Sequence, residues 1–177
     1  MNNREVEKKF VVKGLTYEEA YAVLRDRYAC RIDATSYDLY WAAPNVDFIR
    51  LRENSRELTV KVTDMGTVTD RIEENIVLEK DSMPDATRAM KLLYGEPMKL
   101  IKTFSVFDTL VYKMFAHEYG KVVICLYQVY GDPQRRVFLE VEATGMNSVD
   151  TVVTSLENKL DLEWVPYSLY QIFKDKL

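Results

Sequence analysis

The stretch REVEKKF, residues 4–10, decides how this chain is read. Side chains of a strand point alternately to opposite faces, so Glu5, Glu7 and Lys9 share one face and Val6, Lys8 and Phe10 the other. Two carboxylates and an ammonium do not make a core face, and the pattern recurs. Arg50 and Arg52 alternate in FIRLRE, Thr59 and Lys61 in LTVKV, Arg71 and Glu73 in RIEEN, Glu140 and Glu142 in FLEVEA. Their apolar neighbours are Ile49 and Leu51, Leu58 and Val60, and Val137, Leu139 and Val141. A core face and a solvated face explain any one such strand. Same-sign pairs repeated along the chain ask for more, because like charges side by side repel and call for a ligand or for opposite charges across from them. Closing the sheet into a barrel would turn these residues into a lumen. There, glutamate oxygens suit a hard divalent cation, and arginine grips phosphate in a bidentate fork. The combination points to polyphosphate binding.

Around this stretch the pattern predicts strands over 4–12, 36–41, 46–53, 56–62, 71–79, 103–116, 121–130 and 135–143. ENSR is a hairpin link, Asp64–Thr67 a turn, and EYGK (118–121) the turn between two long strands. TYEEAYAVLRDRY opens on a capping box, Thr16 with Glu19 three residues later. Further helices are expected over 84–95, with Pro84 at its start and Gly95 at its end, over 148–160 with Ser148 as cap, and over 168–176. About eight strands joined mostly by hairpins, with four helices, define an α+β protein built on an antiparallel sheet or barrel.

The 177 residues suit one domain, 1–177, with a sizeable core. With 47% apolar and 29% charged residues, the composition is that of a folded rather than a disordered chain. The net charge of −4 argues against a general nucleic-acid binder. No apolar run is long enough to span a membrane, and the first residues lack a signal pattern. Two cysteines without CxxC spacing, Cys30 and Cys125, suit a reduced, cytoplasmic protein. The single histidine, His117, leaves metal binding to oxygen ligands.

Glu5-x-Glu7-x-Lys9 resembles the ExExK signature of the CYTH, or triphosphate tunnel metalloenzyme, superfamily. DLYWAAPNVDFIRLRE, LTVK, RIEENIVL, YGKVVICLYQV with FLEVEATG, and YSLYQIF resemble further family segments, in order and spacing over nearly the whole chain. The resemblance implies an eight-stranded antiparallel barrel with a tunnel and flanking helices. It implies hydrolysis of a triphosphate (inorganic tripolyphosphate, a nucleoside triphosphate or thiamine triphosphate) with Mg2+ or Mn2+. It assigns Glu5, Glu7, Glu140 and Glu142 to metal, Lys9, Arg50, Arg52, Lys61 and Lys113 to substrate, and Glu5, Glu7, Lys9 and Glu73 to catalysis. The expected partner is a small-molecule triphosphate or nucleotide, with the chain a monomer or homodimer. The alternatives are a class IV-type adenylyl cyclase, making cyclic AMP and pyrophosphate from ATP, and a non-catalytic binder of a phosphorylated nucleotide.

The chain departs from the family's pattern in three strands. Tyr127 replaces an aspartate before the late acidic strand, and a tyrosine is a poor metal ligand at neutral pH. TFSVFDTLVYKMF offers Lys113, and Lys102 precedes it, but no arginine. Asn75 replaces an acid two residues after Glu73. Tyr37, Tyr40, Tyr112, Tyr127 and Tyr130 read as packing residues, with a base-stacking platform as the alternative. His117, Arg135 and Arg136 read as solvent-exposed, and Cys125 as core.

Overall fold

The computed structural model describes residues 4–63, 70–113 and 118–174. It leaves out the side chains of residues 4, 5, 63, 70, 71, 110–113 and 118–120. The strands are β1 Arg4–Val12, β2 Ala29–Trp41, β3 Phe48–Arg52, β4 Glu57–Thr63, β5 Asp70–Val77, β6 Met98–Lys113, β7 Glu118–Val129, β8 Val137–Ala143 and β9 Leu162–Trp164. The α-helices are α1 Tyr17–Arg25, α2 Met83–Tyr94, α3 Met146–Glu157 and α4 Leu169–Phe173. The α+β class holds, with nine strands in a mostly antiparallel sheet and four α-helices among the described residues. The described residues fall into two compact units: residues 5–35 with 103–113 and 118–166, and residues 36–63 and 70–102 with 167–174 and Arg4.

In the unit that begins at Glu5, β8 lies between β7 and β1, all antiparallel, and β9 adds to β1. The register sets Glu7 opposite Glu142 and Lys9 opposite Glu140. Val6, Phe10 and Val12 join Val137, Leu139, Val141, Ile124 and Leu126 in one buried cluster, closed by Ala20 and Leu24 of α1 and Val149, Val152, Val153 and Leu156 of α3. The alternation therefore sorts a helix-covered apolar face from a charged one. Lys8, on the covered face, reaches Asp150 of α3 at 2.7 Å, and this pair explains a cation on that side.

In the other unit, β2, β3, β4 and β5 pair in sequence order, also antiparallel. Leu39, Trp41, Ile49 and Leu51 pack with Met90 of α2, and Leu58, Val60 and Met83 border them. The glycine at the end of α2 has φ 83°, a left-handed conformation that a side chain would disfavour. Trp41 Nε1 donates to its carbonyl at 3.0 Å, tying the helix end to β2.

Several boundaries differ from the sequence reading. β2 begins at Ala29 rather than 36, because residues 29–35 show no core face to betray a strand. β6 begins at Met98, five residues before its expected start. Glu118–Lys121, read as a turn, is strand, while His117 and the Asp64–Thr67 turn lie outside the described residues. α3 starts at Met146 after Gly145, without a side-chain cap, so Ser148 lies inside the helix and is not its cap. α1 and α4 carry full capping boxes, Thr16 with Glu19 and Ser168 with Gln171. No helix among the described residues is long and apolar enough to cross a membrane.

Candidate functional site

Each unit presents one charged face. On the β2–β5 face, the register sets Asp38 beside Arg52, Tyr40 beside Arg50, Arg50 beside Thr59, Lys61 beside Glu73 and Thr59 beside Asn75. Directly paired residues point to the same side, so β3, β4 and β5 bring Arg50, Arg52, Lys61 and Glu73 onto one surface, with Asp38 and Tyr40 of β2 beside them.

Two networks hold these cations. Arg52 donates through Nε and Nη2 to the two oxygens of Asp38, both at 2.9 Å. Ser36 donates to the same carboxylate, and Tyr40 does so at 3.5 Å. Burial alone would raise the Asp38 pKa, but the Arg52 hydrogen bonds and charge, with Lys102 and Arg50, hold it far below the usual carboxylate range. The second network is a relay. Arg50 Nη2 donates to Thr59 Oγ1 at 2.9 Å, and Thr59 donates to Asn75 Oδ1 at 2.7 Å. Asn75 Nδ2 donates to Glu73 Oε1 at 2.8 Å, and Glu73 pairs with Lys61 at 2.9 Å. Burial opposes ionisation of Glu73, yet the charges of Lys61 and Arg50 bring its pKa down to about 2. Asn75 thus does what a second acid could not: it accepts from Thr59 and donates to Glu73. Arg50 also reaches Glu57 at 3.3 Å, but its Nε is buried without a hydrogen-bond partner.

The face of β1, β8 and β7 is acidic. Lys9 Nζ meets Glu140 Oε1 at 3.0 Å and Glu7 at 4.0 Å, with Lys9 and Glu7 both buried. The Tyr127 hydroxyl donates to the same Glu140 oxygen at 2.8 Å. Burial, then the charge of Glu140, pushes that phenol well above its ordinary pKa, so it stays an O–H donor. Glu142 lies on this face through its register with Glu7, as does Cys125 opposite Glu140. Cys125 is buried as expected, but on the acidic face. Glu7 and Glu140 offer the hard oxygen donors that Mg2+ and Mn2+ take. Among the described residues no group of three or more His, Cys, Asp or Glu side chains assembles to hold a metal. Glu5 and Lys113 belong to β1 and β6, and their side chains lie outside the description.

The sequence reading gave no role to Asp38, Ser36, Glu57 or Thr59. Asp38 opens the DLYWAAPNVDFIRLRE segment, where it reads as a motif residue without a role of its own. Lys102, named only in passing, is buried and acts on Asp38. Tyr40 and Tyr127 are buried packing residues, whereas Tyr37 and Tyr130 are exposed. Arg136, expected in solvent, is clamped by Asp132 at 2.8 and 3.1 Å and lies over the Phe138 ring.

No family model matches the sequence, and no curated protein matches it. Solved structures match along the whole chain. PH1819 of Pyrococcus horikoshii OT3 is 20% identical with a TM-score of 0.66, covering 98% of this chain and 99% of that one. HpAC1 of Hippeastrum, assigned as an adenylyl cyclase with a dominant triphosphatase activity, is 13% identical with a TM-score of 0.65, over 97% and 96%. The adenylate cyclase assigned in Bacillus halodurans, bh2851, is 16% identical with a TM-score of 0.55, over 96% of each chain. The chain has the fold of these solved structures.

Proposed function

We propose that this chain is a divalent-metal-dependent hydrolase of a triphosphate: inorganic tripolyphosphate, a nucleoside triphosphate or thiamine triphosphate. The observation that carries the reading is Arg50 Nε, a buried donor without an acceptor. A buried polar group left unpaired costs about 1–3 kcal/mol, and a phosphate oxygen would relieve it. Arg52 and Lys61 stand on the same face, and Arg52 is aimed by Asp38.

In this reading Arg50, Arg52, Lys61 and Lys113 hold the phosphates and stabilise charge on the transferring group. Glu73, kept ionised, holds Lys61 in place. Glu5, Glu7, Glu140 and Glu142 would hold Mg2+ or Mn2+, which supplies charge neutralisation and an activated water when bound. Lys9 balances the acids of its face. The closed eight-stranded barrel, one domain over 1–177 and a cytoplasmic setting remain parts of this proposal, on the strength of the sequence. Cys30 and Cys125 form no disulfide, which suits such a setting.

The names of HpAC1 and bh2851 favour ATP cyclisation as a second reading. A binder without turnover is favoured by Tyr127, whose hydroxyl engages a proposed metal ligand. A screen of the three triphosphates with Mn2+ or Mg2+, for the chain and for Glu5→Gln with Glu7→Gln, separates them. The proposal expects phosphate release that the double variant abolishes. Equal amounts of cyclic AMP and pyrophosphate establish the cyclase, and binding without turnover establishes the binder.

A further inference from the structure

Tyr127 and Phe138 are register partners on β7 and β8, and their rings stack with centroids 5.3 Å apart and planes 17° from parallel. Both rings are fully buried. A phenol fixed this way delivers its hydroxyl to one place, and that place is Glu140 Oε1 at 2.8 Å. Lys9, the cross-strand partner of Glu140, meets the same oxygen at 3.0 Å. Glu140 is therefore held from both neighbouring strands. Arg136, clamped by Asp132, lies 5.2 Å from the Phe138 centroid and adds a cation to the stack.

We propose that Tyr127 is a positioning residue of the acidic face: by holding Glu140 Oε1 it orients that carboxylate toward a divalent cation shared with Glu7, and so sets how tightly the face takes the ion. The proposal rests on the reading of Glu7 and Glu140 as metal ligands. Groups that orient a metal's ligands through hydrogen bonds typically contribute 10–100-fold to its affinity. The hydroxyl acts by donation, and the phenol is not itself a ligand.

The test is the uptake of Mn2+ alone, with no substrate, followed by the electron paramagnetic resonance signal of the free ion. Tyr127→Phe keeps the ring and the stack and removes only the donor. It is expected to weaken Mn2+ affinity by about 10–100-fold, while the metal-free chain still melts cooperatively. Phe138→Leu is the second variant. It keeps the hydroxyl but removes the ring that fixes it, and weaker uptake is expected there too. Wild-type uptake matched by both variants overturns this proposal and leaves the metal reading standing. A wild-type chain that takes up no Mn2+ overturns the metal reading and this proposal together.

Discussion

Asp38→Asn is the substitution whose consequences the geometry fixes best. Asp38 is 1% exposed and accepts both forks of Arg52 at 2.9 Å, with Ser36 and Tyr40 as further donors. Asparagine keeps the volume but presents an NH2 group to a site lined by donors. Arg52 and Lys102 then lose the carboxylate between them. Removing one partner of a buried ion pair costs about 3–5 kcal/mol. A chain of this length loses roughly 2–4 °C of melting temperature per kcal/mol, so the variant should melt about 6–20 °C below wild type at pH 7. The pH dependence has a definite sign. The native Asp38 pKa lies below its unfolded value of about 3.9, so its stabilisation is complete above that value and fades as pH falls below it. Wild type and Asp38→Asn should therefore differ widely at pH 7 and draw steadily closer as pH falls below about 3.9. Thermal melts across that range are the assay. Melting temperatures within about 2 °C of each other at pH 7, against the range above, would refute the argument that Asp38 holds the cation face.

Glu73→Gln should also destabilise near neutral pH, where the Lys61 pair is formed. With a native pKa of about 2, the Glu73 contribution fades as pH falls from the ordinary glutamate value, about 4.3, through about 2, so acid melts of the variant should be flatter in that range. Arg50→Lys removes the Nε donor and the planar fork, and calorimetric affinity for tripolyphosphate should fall by the worth of one charged hydrogen bond, about 1.5–3 kcal/mol. Leu139→Ala empties a fully buried position beneath α1 and α3 and should cost about 2–5 kcal/mol in urea unfolding.

Period-two alternation was legible where a strand separates a helix-covered face from a charged one, as in β1, β3, β4 and β8. It failed over residues 29–35, where neither face of β2 is buried and the pattern carries no signal. Lys8 broke the pattern of its face because its partner, Asp150, is 142 residues away. Tyr127 and Asn75 read as losses when only charge was counted. In three dimensions each is a donor to a glutamate, a role set by register rather than by residue class. Asp38 escaped because a lone acid among aromatic residues shows its importance only once Arg52 lies opposite.

Metal-dependent turnover is the most direct test of the central claim. The chain is stripped with EDTA, assayed for phosphate release from tripolyphosphate, ATP and thiamine triphosphate, and assayed again after Mn2+ or Mg2+ is restored. The account predicts no release without metal and release from at least one substrate with it. Failure to release phosphate from all three with either metal, or release that EDTA does not touch, would contradict it.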